Sequence, residues 1–162
     1  MRITLPTALK VRLEAELQRA GRHEIGGVLM GRDMGGGNFR IEDLHVQRSG
    51  GSFAFFLRQV QSFLVPLERF FDQTGHRYTE YNYLGEWHSH PSFSLRPSGT
   101  DTASMQEIVD DPEVGATFAV LLITKLCDSR QLAGRVYVFM PDRPYFEAIF
   151  ELEDDETIHT HG

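Results

Sequence analysis

At 162 residues, with 41% apolar and 24% charged side chains, the chain has the length of one domain and an ordinary globular balance, which excludes a disordered, fibrous or repeat protein. A formal net charge of -7 with scattered basic residues lacks the electrostatic footprint of a nucleic-acid binder. Cys127 is the only cysteine, so no intrachain disulfide forms, and no stretch reaches the roughly 18 uninterrupted apolar residues of a membrane span; a cytoplasmic, membrane-free protein is expected.

In chain order, Leu9, Leu13 and Leu17 recur at spacings of four between Pro6 and Gly21, which predicts a first helix from Pro6 to Ala20. The same segment is charged and amphipathic, unlike a signal peptide. IGGVLMG, from Ile25, reads as a short buried strand, Gly35 to Gly37 as a turn, Phe39 to Val46 as a second strand and FAFFL as a third. Phe63, Leu67, Phe70 and Phe71 repeat with helical spacing, so a second helix is expected over Ser62 to Gln73. Tyr81 to His90 reads as an aromatic-rich strand that enters a proline-bearing loop, and a third helix is expected from near Ser98. ATFAVLLIT, RVYVFM and YFEAIFEL complete the set as strands. The acidic end, with its HTHG terminus, is expected to fray. The pattern predicts a mixed α/β domain with one central sheet flanked by helices.

Chemistry concentrates in WHSHPSFSLRPSGTD. His88 and His90 are two apart on a strand, so both imidazoles project from one face and can reach one ion. A catalytic zinc takes three protein ligands and leaves a position for water. Asp101 is the natural third, because the loop can return the chain to the strand end. Ser98 and Asp101 also form an S-x-x-D capping pattern, which would make them helix-start residues instead. A second H-x-H, His159 and His161, lies in the acidic tail with no strand around it, so spacing by itself decides little. Glu86 falls on the histidine face of a regular strand, either orienting a histidine or forming a structural salt bridge. Phe93 and Leu95 fall in the loop after Pro91, lining a cleft or packing. Cys127, without a partner of its type, reads as an inert thiol.

The conjunction of an upstream glutamate, H-x-H-P, six residues and S-x-x-D resembles the JAMM (MPN-plus) metalloprotease family. Here the six residues are Ser92 to Pro97, Glu24 precedes IGGVLMG, and the likeness spans roughly Ile3 to Glu151. GEWHSHP is similar to the string in stand-alone prokaryotic members. The resemblance implies a single MPN (JAB) domain of cytidine-deaminase-like α/β architecture over residues 1–152, and the acidic composition of residues 153–162 implies a flexible tail. It implies a Zn2+ ion held by His88, His90 and Asp101, with Glu24 as general base and Ser98 orienting water or stabilising the oxyanion. The implied activity is that of an isopeptidase or peptidase cutting after the C-terminus of a ubiquitin-like protein, in a setting with E1/E2-like conjugation enzymes such as antiphage defence. Processing of a sulfur-carrier protein and a non-catalytic MPN scaffold are the alternatives.

Overall fold

The computed structural model describes residues 1–48 and 60–153. The strand expected over FAFFL and the acidic tail with His159 and His161 lie outside the described residues. Seven strands and three helices are seen among them. In chain order they are β1 (Arg2–Leu5), α1 (Thr7–Ala20), β2 (Gly26–Gly35), β3 (Asn38–Leu44), α2 (Val60–Gln73), β4 (Tyr81–Ser89), α3 (Gly99–Asp110), β5 (Ala119–Leu126), β6 (Leu132–Phe139) and β7 (Phe146–Leu152).

The expectation of one central sheet flanked by helices holds for the mixed α/β class but not for the shape of the sheet. The strands close into a barrel in the order β1-β3-β2-β4-β5-β6-β7. The closing strand is β1, which pairs in parallel with both β3 and β7. RITL is too short to carry a strand signal of its own, yet Ile3 and Leu5 alternate inward and are fully buried. The closure leaves no hydrogen-bonding edge on the ring of strands.

Helices cover both surfaces of the curled sheet. Leu13 and Leu17 of α1 enter the same core as Ile3, Leu29, Trp87, Leu122 and Val136, which fill the inside of the barrel. α1 begins after Pro6 and ends at Gly21, whose φ of 60° is readily available only to a residue lacking Cβ. On the outer face, Met105 and Val109 of α3 pack on Leu121, Ile123, Tyr137 and Phe139. Leu67 of α2 packs with Val28 and Tyr83.

One irregularity positions the site. Leu29 pairs with Gly85 and Met30 with Tyr83, so Leu84 is an extra residue on β4. The bulge turns Leu84 into the core beside Trp87 and keeps Tyr83 and Glu86 together on the outer face. Gly85 has φ 154°, and a Cβ there would stand 2.0 Å from the Val120 carbonyl oxygen, so glycine alone allows β4 and β5 this close.

Candidate metal centre

The C-terminal end of β4 lies between the start of β2 and its other neighbour, β5. Gly26 is in register with His88, and His88 with Ile123. Period-two alternation then sends His88 outward with Glu86, as expected for a regular strand below the bulge. The loop after Pro91 brings the first turn of α3 over the same spot. His88, His90 and Asp101 are all buried, and one ligand atom from each lies within 4.8 Å of the others. Nε2 of His88 and Nε2 of His90 are each 3.6 Å from the same Asp101 oxygen, Oδ2. The two imidazoles stack at 4.7 Å between centroids.

The capping and ligand readings of Asp101 turn out to be compatible. Ser98 caps α3: its Oγ accepts from the Asp101 N–H at 3.1 Å, while Asp101 Oδ2 accepts from the Ser98 N–H at 2.6 Å. This reciprocal pair fixes the carboxylate in the orientation that faces the histidines. Ser98 uses a lone pair in the cap, so its O–H remains able to donate outward.

The electrostatics follow from burial. Desolvation dominates at His88 and depresses it to about 4 despite the nearby Asp101 carboxylate, so this imidazole is neutral at physiological pH. At His90 burial works against protonation, but Asp101, the Ser94 carbonyl and Glu24 together hold the pKa above its usual value. Burial likewise opposes the charge on Asp101, yet His90, His88 and the Ser98 cap bring it down to about 2. The set therefore presents two imidazoles and an ionised carboxylate.

That donor chemistry fits a zinc-type ion. A tetrahedral zinc with nitrogen and oxygen ligands at about 2.0–2.1 Å places those ligands about 3.3–3.4 Å apart. The two observed nitrogen-to-oxygen separations of 3.6 Å differ from this by only a few tenths of an ångström. His90 is also oriented for the task. Its Nδ1 lies 2.8 Å from the Ser94 carbonyl oxygen, which leaves Nε2 to face Asp101.

Glu24 is exposed, two residues before β2, and its carboxylate is near enough to His90 to favour the protonated imidazole. What holds this segment in place was not evident from the sequence. Ser89, between the two histidines, points away from them and is 1% exposed. Its Oγ accepts from the Ile25 N–H at 2.9 Å, and its N–H donates to the Ile25 carbonyl at 2.8 Å. The middle residue of H-S-H thus pins the neighbour of Glu24 to the strand that carries the two histidines. The only signal in the sequence was a small polar residue at the inward position of a strand. Ser94, which orients His90, was equally unmarked.

The remaining sequence candidates separate clearly. Phe93 is 64% exposed, with its ring nearly perpendicular to that of His90. Leu95 packs beneath α3, and its carbonyl accepts from the Tyr137 hydroxyl at 2.8 Å. Glu86 is 2% exposed, and burial, assisted by Asp101, pushes its carboxyl up to about 8. It forms neither a histidine hydrogen bond nor a salt bridge among the described residues. Cys127 is exposed in the turn between β5 and β6.

The barrel with helices on both faces, and a buried two-histidine, one-aspartate cluster at the end of a central strand, define a JAB-type domain. The chain belongs to the family of prokaryotic homologs of the JAB domain, whose model matches residues 6–138. Two solution structures share the fold. A protein from Desulfitobacterium hafniense aligns over 99% of both chains with TM-score 0.64 and 20% identity. A protein from Salinibacter ruber aligns over 96% of this chain and 94% of its own, with TM-score 0.52 and 19% identity. No curated protein matches the chain. Among the described residues, no helix is long and apolar enough to cross a membrane.

Proposed function

We propose that the protein is a zinc-dependent isopeptidase or peptidase that cuts after the C-terminus of a ubiquitin-like protein. The observation that carries this reading is the convergence of His88, His90 and Asp101 beside Glu24 in a chain of the JAB family. His88, His90 and Asp101 would hold the metal. A bound zinc supplies Lewis acidity, acidifying water and polarising the carbonyl under attack.

The protein's own groups account for the proton traffic. Glu24, exposed at the mouth of the site, accepts a proton from water and returns it to the departing amine. The Ser98 hydroxyl, with its lone pair engaged in the α3 cap, donates toward the oxyanion that develops as the carbonyl becomes tetrahedral. Asp101 is kept ionised by its two histidines and the cap, and His88 is kept neutral by burial, which are the states a metal requires. The extended tail of a ubiquitin-like protein is the segment proposed to lie beside the site. A bacterial ubiquitin-like conjugation system, with E1/E2-like partners and a role in antiphage defence, is the proposed setting.

The test is direct. Purified protein should contain close to one zinc per chain and cut a ubiquitin-like fusion in a chelator-sensitive reaction. Glu24→Gln should retain the zinc while losing nearly all turnover. A Glu24→Gln protein that cleaves as fast as the parent would refute the assignment of the base, and metal content far below one per chain would count against catalysis altogether.

A further inference from the structure

The loop from Ser92 to Pro97, between His90 and α3, is fastened through its backbone. The Phe93 N–H donates to the His90 carbonyl at 3.4 Å, and the next three carbonyls are each taken up by a different side chain. The Phe93 carbonyl accepts from Lys125 Nζ of β5 at 3.3 Å, and the Ser94 carbonyl from His90 Nδ1 at 2.8 Å. The Leu95 carbonyl accepts from the Tyr137 hydroxyl of β6 at 2.8 Å, while the Leu95 side chain packs with Met105, Val109 and Tyr137. The conformational entropy of this backbone is therefore spent in folding rather than at the moment a ligand arrives.

The side chain that this fixed backbone presents is apolar. Phe93 is the most exposed large hydrophobic residue among those described, and its ring centroid lies 6.3 Å from that of His90, which places it at the rim of the metal centre. A single exposed phenylalanine needs no explanation in itself. What distinguishes Phe93 is the conjunction of a pinned backbone, a ring with only two torsions to order and a position beside a candidate ligand. Glu24 is near the same imidazole, so a chain held against Glu24 for cleavage comes within reach of the ring. An extended chain advances about 3.3–3.6 Å per residue, so the separation of ring and imidazole corresponds to about two residues of a bound segment.

We propose that Phe93 is a specificity-determining residue of this centre, contacting an apolar side chain of the substrate near the bond that is cut, with Tyr137 as a positioning residue that acts through the Leu95 carbonyl. The proposal rests on the reading that a polypeptide is bound and cut here. The probes are fusions of ubiquitin to a fluorescent protein, with leucine or serine at each residue up to the third on either side of the junction. Their Kd is measured by thermophoresis against zinc-loaded, full-length Glu24→Gln protein, and kcat and KM are measured with the parent. Leucine at one of these positions should lower Kd and KM about tenfold relative to serine, the gain from burying one aliphatic side chain. Phe93→Ser should abolish that preference and Phe93→Leu should keep most of it. Neither should change zinc content or melting temperature, because the ring is exposed. Tyr137→Phe should raise KM about threefold with kcat unchanged, and should have no effect in the Phe93→Ser background, a dependence that a purely structural role would not produce. Equal binding of the leucine and serine fusions, no binding of either, or a leucine preference that survives Phe93→Ser would overturn the assignment of Phe93. A Tyr137→Phe effect that persists without Phe93 would overturn the positioning role. A Phe93-dependent leucine preference in Kd without cleavage by the parent would overturn the proposed activity and leave the contact standing.

Discussion

Replacing Ser89 by alanine isolates the contact that joins the two halves of the site. The Ser89 Oγ accepts the Ile25 N–H at 2.9 Å in a buried position, and alanine leaves that donor without a partner. An unsatisfied buried backbone donor costs about 1–3 kcal/mol. At about 2–4 °C per kcal/mol for a domain of this size, the melting temperature should fall by about 2–12 °C. The reciprocal bond, from the Ser89 N–H to the Ile25 carbonyl at 2.8 Å, remains, so β2 and β4 stay paired and only the approach to Glu24 loosens. His88, His90 and Asp101 keep their own supports, and zinc content should not change. Displacement of a catalytic group by about an ångström can cost on the order of a hundredfold in rate, so kcat should fall between about tenfold and a hundredfold with KM little altered. Thermal unfolding, elemental analysis and steady-state cleavage of a ubiquitin-like fusion give the three readouts. A Ser89→Ala protein with parental melting temperature and parental kcat would refute the argument, and one that loses zinc would show that Ser89 acts on the ligands instead.

Other consequences are equally accessible. Asp101→Asn keeps an acceptor for the α3 cap but removes the ionised carboxylate, so zinc should be lost; Ser98→Ala should cost about 1 kcal/mol with zinc retained. Gly85→Ala brings a Cβ to within 2.0 Å of the Val120 carbonyl oxygen at φ 154°, and a destabilisation of about 4 kcal/mol or more is expected by thermal or denaturant unfolding. In chelator-treated protein, His90 and Glu86 both have folded pKa values above their unfolded ones, about 8 against 4.5 for Glu86. The folded state thus retains protons that the unfolded chain has released, and stability should fall as pH rises from about 6.5 to about 8. Glu86→Gln should flatten that slope, whereas a melting temperature that rises across this interval would contradict the assignment. At lower pH, the depressed His88 acts in the opposite sense, so no comparable slope is expected between 4.5 and 6.5.

The candidate ligand set was legible in the sequence because each part of it is local. Two histidines two apart on a strand share a face by the geometry of the backbone, and Ser98 with Asp101 announces the start of a helix. The helices α1, α2 and α3 and six of the seven strands follow from apolar spacing and from glycine and proline punctuation. Glu24 was found only through the upstream element of the family motif, since nothing local distinguishes it from a surface carboxylate. Tertiary structure alone decided the rest, because each remaining feature depends on contacts between segments far apart in the chain. RITL becomes the strand that closes the barrel only once β3 and β7 flank it. Ser89 becomes a clamp only when Ile25 lies across from it. Glu86, placed by alternation on the histidine face, reaches a groove rather than a histidine because the bulge and two helices from elsewhere in the chain build walls around it. Asp101 is both cap and candidate ligand for the same reason: a local hydrogen-bond pair sets its orientation, and the folding of α3 onto β4 supplies what it faces.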